Sequence, residues 1–280
     1  MLSGRARRLA RLYPPHSEPD PFALGEALAE AAIAHAEVIA GFMASPPQTN
    51  EVARSLCLVG GFLTVAKATG LPLRCLELGA SAGLNMNWDR YAYRFDDGAG
   101  WGDPAASVRL AGAWEGASPP RDAPVRVVER AACDQNPIDV TDADSALRLQ
   151  AYVWADQTLR LERLRAAIAL KRETGGVPDR ADAADWTEAH ATPRPGVATV
   201  IYHSVFLQYP PKAIRDRIRA AIAAAGAQAT TEAPLAWLSM EPNPQEVLGP
   251  FEVKLTLWPT GQTRRLALVH PHGAKVRWLG

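Results

Sequence analysis

The chain has little cysteine, no charge bias and no long apolar run. Its three cysteines, Cys57, Cys75 and Cys133, sit in apolar segments without CxxC spacing. That pattern argues against a disulfide framework or thiolate metal site and for buried thiols in a reducing cytoplasm. The 30 basic and 30 acidic residues cancel to a formal net charge of zero. Nothing therefore draws the chain to nucleic acid or to an anionic membrane surface. No stretch of about 18 uncharged apolar residues is present, so no membrane span is expected. The N-terminus is basic, but no apolar core follows before Pro14-Pro15, so no secretory signal is expected either. His270-Pro-His272 has no further Cys or carboxylate ligand close by and reads as a strand-edge turn rather than a metal pair. No internal repeat stands out.

What is present is ample apolar content, 48% of 280 residues, enough for a sizeable core. Residues 1 to 72 read as helices only. Asp20-Pro21 is an N-cap with proline at the first helical position, and Phe22, Leu24, Leu28, Ile33, Val38, Ile39 and Phe42 follow at helical intervals to Pro46-Pro47. A second helix runs from about Asn50 to Gly70. His35 lies inside the first helix and reads as an ordinary surface or core histidine. This part is expected to be a helical cap on the main domain, with no linker-like composition separating the two.

The rest is organised around residues 73 to 85. Leu73 to Leu78 is a short apolar run between Pro72 and Gly79, the pattern of a buried strand. Gly79 and Gly83 bracket a turn of small residues before an apolar helix start at Leu84. Strand, glycine turn and helix together place free backbone N–H groups beside a nucleotide-like ligand. Glu77 is the odd residue, because a buried carboxylate is costly unless something polar meets it. Tyr91 to Phe95 and Ser107 to Trp114 alternate as strands around the Asp97-Gly98 turn, which predicts a β-hairpin inserted at about 90–120. Asn85, Asn87, Trp88 and Asp89 precede it, near the edge where α/β folds bind ligands.

Pro124 to Cys133 is the next strand and ends in Asp134, the position where an acid takes ribose hydroxyls in nucleotide-binding folds. Residues 144 to 173 read as a long helical stretch with a break near Trp154-Ala-Asp156, stopped by Gly175-Gly176. Asp179, Asp182 and Asp185 follow. Gly196 to Leu207 is the most β-branched run and predicts a central fourth strand, with His203, Ser204, Gln208 and Tyr209 at its end. A neutral imidazole there is suited to general-base work. A hydrolase reading fails because no Gly-x-Ser-x-Gly elbow surrounds Ser204. Pro211 to Ala225 is an amphipathic helix. Pro234 to Met240 is a fifth strand, ending in Glu241-Pro-Asn243-Pro, and three further strands follow from Phe251.

Glu77, Gly79, Ser81 and Gly83 resemble the first motif of class I S-adenosylmethionine-dependent methyltransferases, with Ser81 in place of the middle glycine. Residues 73 to 279 also resemble a bacterial family of unknown function with such a core, through Glu-Leu-Gly-Ala-Ser-Ala-Gly-Leu-Asn, Trp-Asp-Arg-Tyr, Cys-Asp-Gln-Asn-Pro-Ile-Asp, His-Ser-Val-Phe-Leu-Gln-Tyr and Val-His-Pro-His-Gly. The resemblance implies an α/β fold: a three-layer Rossmann-like seven-stranded sheet with an antiparallel terminal hairpin, carried by residues 73–280. It implies S-adenosylmethionine held by Glu77, Gly79, Ser81, Gly83, Asn85, Asp134 and Asp182, with Asp179 and Asp185 as alternatives to Asp182. It places His203 as catalytic base and Trp88, Gln208 and Tyr209 toward a small-molecule methyl acceptor, with no metal. The alternatives are a nicotinamide-dependent oxidoreductase and a catalytically degenerate binding module. The acceptor and the oligomeric state are not readable.

Overall fold

A computed structural model describes residues 4, 6–13, 20–44, 47–243, 245, 246 and 249–280. Pro14, Pro15, Pro46 and Pro244, named above, lie outside the described residues. The helices α1 (Arg7–Leu12), α2 (Pro21–Ala34), α3 (Ala36–Met43) and α4 (Arg54–Thr69) precede the first strand, β1 (Leu73–Leu78). A 3-10 segment, Leu84–Arg90, leads into β2 (Ala92–Arg94), β3 (Gly100–Trp101), β4 (Arg109–Ala111), β5 (Ala113–Gly116) and β6 (Val127–Asp134). Then come α5 (Ala143–Ala151), α6 (Thr158–Thr174), β7 (Asp179–Arg180), α7 (Ala183–His190), β8 (Ala198–Ser204), α8 (Lys212–Gly226) and β9 (Leu235–Pro242). The chain ends in β10 (Phe251–Trp258), β11 (Gln262–Val269) and β12 (Lys275–Trp278).

The local signals act where the sequence puts them. The Asp20 side chain accepts a hydrogen bond from the Phe22 N–H at 3.1 Å with Pro21 at the first helical position, so α2 starts there. Gly70 ends α4 at φ 65. The long helical stretch divides into α5 and α6 between residues 151 and 158. One helix expected over residues 22–42 is instead two. His35, at φ −126 and ψ 28, leaves helical geometry and separates α2 from α3.

Nine strands form one sheet in the order β5-β12-β11-β10-β9-β8-β1-β6-β7. β1 lies between β6 and β8, parallel to both, and β8 runs parallel to β9. This half is buried on both faces, which is why β1 and β8 read as unbroken apolar runs. From β9 onward the sheet turns antiparallel through β10, β11 and β12. The seven strands expected are therefore nine, and the chain ends in an antiparallel meander, β10 to β12, beside β9. β5 extends the edge, parallel to β12.

The hairpin expected at about 90–120 is also different. β2 and β4 pair in parallel, Tyr93 opposite Leu110, and β3 pairs antiparallel on the other side of β2. The loop carrying β3 brings β4 back in the same direction as β2, which alternation along each strand cannot reveal.

α4 is a core element. Eleven of its residues are buried, and its glycine pair lets it lie directly on the sheet. A Cβ at Gly60 would sit 2.4 Å from the Trp278 ring, and one at Gly61 would sit 2.3 Å from Leu238. α2 and α3, by contrast, leave Phe22, Ile33 and Met43 mostly exposed.

Candidate functional site

A cleft of about 610 Å³ opens where β1, β6, β7 and β8 end. Its size falls in the usual range for small-ligand sites. β1 connects onward to β6 on one side, and the chain returns to β8 on the other. The cleft thus sits at the point where strand order reverses, the place where open α/β sheets bind ligands. The β1 turn contributes Gly79 and Ser81, β6 contributes Asp134, and the start of α7 contributes Asp182.

The turn is built by backbone conformations that most residues avoid. Gly79, Ser81 and Gly83 have φ of 67, 55 and 67. Ser81 therefore occupies the left-handed region at the position where glycine is usual. Its N–H donates to Asp134 Oδ2 at 2.8 Å, tying the turn to the end of β6. Its hydroxyl is buried in the cleft wall without a hydrogen-bond partner among the described residues. Asp134 Oδ1 accepts from the Asn136 N–H at 2.8 Å and from Gln48 Nε2 at 3.1 Å. Asp182 caps α7, its Oδ1 accepting from the Ala184 N–H at 2.8 Å and the Asp185 N–H at 3.3 Å. Asp179 and Asp185 face elsewhere, to Trp186 Nε1 at 2.8 Å and to Arg217 at 2.7 Å. Phe206 closes one side of the turn, since a Cβ on Gly79 would meet its ring at 2.3 Å.

Residues 1–278 match the family described as "Uncharacterized protein conserved in bacteria (DUF2332)". The chain belongs to this bacterial family. No curated protein and no solved structure matches it. No described helix is long and apolar enough to cross a membrane.

His203 is not in the cleft wall of this family member. It is wholly buried, with Nδ1 2.6 Å from Glu241 Oε1 and Nε2 accepting from Trp237 Nε1 at 3.0 Å. Because the indole can only donate, the imidazole proton lies on Nδ1 and points at the carboxylate. Both ring nitrogens are spent inside the protein, so His203 cannot reach a substrate in the cleft. Glu241 Oε1 also accepts the N–H groups of Phe206 at 2.9 Å and Leu207 at 3.2 Å. The pair braces the loop after β8, where Val205 sits at φ 53. A β-branched residue there is strained, and such strain persists only when surrounding contacts hold it.

Three other expected residues are also structural. Trp88 is wholly buried, stacked on Phe62 with ring centres 4.0 Å apart, so it belongs to the core and not to a substrate face. Asn85 is buried, accepting from Ser55 Oγ at 2.8 Å and donating to the Glu51 carbonyl at 3.2 Å. Its side chain fastens α4 to the turn. Glu77 lies beneath the turn, where its Oε2 accepts from the Tyr202 hydroxyl at 3.0 Å. Burial pushes its carboxyl up to about 8, while the Tyr202 hydrogen bond and the Lys171 ammonium draw it down. Burial in turn lowers Lys171, whose Nζ lies 3.4 Å from Met86 Sδ. Gly83 packs at this cluster.

Tyr209 is in the cleft wall and Gln208 is exposed outside it. Residues not singled out from sequence complete the wall, notably Gln48, Arg54, Ser145, Arg148 and Tyr152. They come from the segment before α4, from α4 itself, and from α5 with its C-cap Tyr152. Cys57, Cys75 and Cys133 are buried, and burial pushes each thiol up to about 12, away from thiolate chemistry. His270 and His272 form the turn between β11 and β12, with the His272 N–H donating to His270 Nδ1 at 3.2 Å.

Proposed function

We infer that the cleft binds S-adenosylmethionine and that the protein transfers a methyl group from it to a small acceptor. One observation carries this reading. The Gly79–Ser81 turn, Asp134 and Asp182 share one wall of a cleft at the reversal point of the sheet. The partial strand order β7-β6-β1-β8-β9, all parallel and followed by antiparallel β10, supports this reading.

The residues fit an adenosyl ligand in three respects. The Ser81 hydroxyl is an orphaned polar group in the wall, suited to a ligand hydrogen bond. Asp134 can accept ribose hydroxyls once Gln48, which now donates to its Oδ1, swings away. Asp182 Oδ2 takes no part in the cap, which uses Oδ1, and is available to an adenine amino group. Phe206, lying on Gly79, limits approach on that side and favours a ligand seated toward Ser81 and Asp134.

When bound, the sulfonium supplies an electrophilic methyl carbon, and the protein's part is to align an acceptor in line with it and exclude water. His203 has no place in that step. Arg54, Tyr152 and Tyr209 are polar groups of the cleft wall that can orient an acceptor. The withdrawal of His203 from the cleft also favours a second reading, a module that binds the cofactor without turnover.

Thermal unfolding with S-adenosylmethionine, S-adenosylhomocysteine and NAD tests the proposal. A ligand at about 100 times its Kd adds about 2.7 kcal/mol of stability. Protection by both adenosyl compounds, lost in Asp134→Ala, supports it. Protection by NAD alone refutes it. Binding with no methyl transfer across a broad acceptor panel selects the module.

A further inference from the structure

Arg54 is a partly desolvated guanidinium with no carboxylate partner among the described residues. It is the first residue of α4 and lies in the cleft wall beside Ser204 and Tyr209. Its Nε donates to the Pro271 carbonyl at 3.1 Å and its Nη1 to the Ser204 carbonyl at 3.3 Å. A guanidinium has five N–H donors, so these two bonds leave most of the fork unengaged. Burial lowers its pKa, and the nearby carboxylates of Glu51 and Glu241 offset this only through space. Glu51 is already paired with Arg160 at 2.6 Å, and Glu241 is held by His203.

The protein treats its most deeply buried arginine differently. Arg74, at the start of β1, donates to Glu129 at 2.9 Å and to the His190 carbonyl at 2.9 Å. A guanidinium taken out of water normally has such an anionic partner. Arg54 has none among the described residues, and the space in front of it is the cleft.

Position adds a second argument. Asp134 and Asp182 follow β6 and β7, whereas Arg54 touches the end of β8, with β1 between. Neighbouring strands lie about 4.8 Å apart, so the β8 end of the cleft is about 10 Å from the β6 end that carries Asp134 and about 14 Å from the β7 end that precedes Asp182. The cleft is thus polar along its length. Phe206, Pro210 and Ile214 provide apolar surface near the basic end.

We propose that Arg54, with the Tyr209 hydroxyl, forms an anion subsite at the β8 end of the cleft, and that the methyl acceptor is a small carboxylic acid seated there by its carboxylate. The planar fork matches a carboxylate in bidentate geometry. The negative charges of Glu51 and Glu241 nearby favour a monoanion over a doubly charged phosphate. The apolar surface suits an aliphatic or aromatic body. Assigning this end to the acceptor rests on the adenosyl reading of the β6 end.

The test uses the full chain and measures thermal shift and calorimetric binding. The probes are hexanoate, benzoate and 3-phenylpropionate, each with its matched primary amide, together with adenosine, S-adenosylhomocysteine and its decarboxylated analogue. Acids should protect and amides should not. Arg54→Gln should weaken acid binding about ten- to a hundredfold, the usual consequence of losing a charged hydrogen bond. Tyr209→Phe, at an exposed side chain that cannot disturb folding, should weaken it a few-fold. Adenosine binding should be unchanged in both variants. The proposal is overturned if no acid protects, if amides protect equally, or if both variants bind acids as the parent does. It is also overturned if Arg54→Gln weakens S-adenosylhomocysteine but not its decarboxylated analogue, because the subsite then serves the cofactor's own carboxylate. Protection by acids without any by adenosyl compounds would sink the cofactor reading and leave the carboxylate subsite standing.

Discussion

Replacing Glu77 with glutamine should change how stability depends on pH more than it changes stability itself. Glu77 is buried beneath the glycine turn, and its carboxyl is raised from 4.5 to about 8, chiefly by burial. Between those values the folded chain keeps a proton that the unfolded chain has released. The group's stabilising contribution is therefore complete below about pH 4.5 and is lost as pH rises through 8. At about 1.4 kcal/mol for each pH unit, the interval sets a ceiling of about 5 kcal/mol. The Lys171 ammonium and the Tyr202 hydroxyl act against burial, and Asp134 acts with it. Glutamine mimics the protonated acid and retains an acceptor for Tyr202. Urea unfolding of parent and Glu77→Gln should then give similar free energies near pH 5. Near pH 9 the variant should be the more stable by a few kcal/mol. Taking the difference between the two proteins cancels the titration of groups they share. Parallel stability curves across this range would refute the reasoning, because they would mean that Glu77 ionises as freely in the fold as in the unfolded chain.

Other substitutions bear on the same architecture. His203→Ala should cost about 2–4 kcal/mol in urea unfolding, since it leaves Glu241 and the Trp237 N–H without their buried partner, while adenosyl binding stays within about twofold. A loss of turnover at unchanged stability would restore the histidine to catalysis. Ser81→Gly should stabilise the chain by about 1 kcal/mol, read in the same assay, because φ 55 is strained for serine and free for glycine. Trp88→Ala should cost about 3–5 kcal/mol without selective loss of ligand, as expected for a ring stacked in the core.

The β1 turn was legible because its signals are local. An apolar run, two glycines and a small residue between them state a strand and a sharp turn without reference to anything distant. Asp134 and Asp182 could be read for the same reason, as acids at strand and helix ends, and both line the cleft. His203 illustrates the opposite case. A histidine at the end of a central strand looks like a base until its neighbours are known. Those neighbours, Trp237 and Glu241, lie 34 and 38 residues further along. Trp88 stood beside candidate polar residues in sequence, yet its ring turns to Phe62 on α4.

The order of elements, the glycine turn and the acids that follow two later strands were set by short stretches of chain, because capping, turn conformation and burial of a strand depend on residues close in sequence. The nine-strand order, the parallel pairing of β2 with β4, the enclosure of His203 and the placing of Arg54 in the cleft wall were decided only by packing. Each depends on which distant segments meet, and no pattern within one segment encodes its partner.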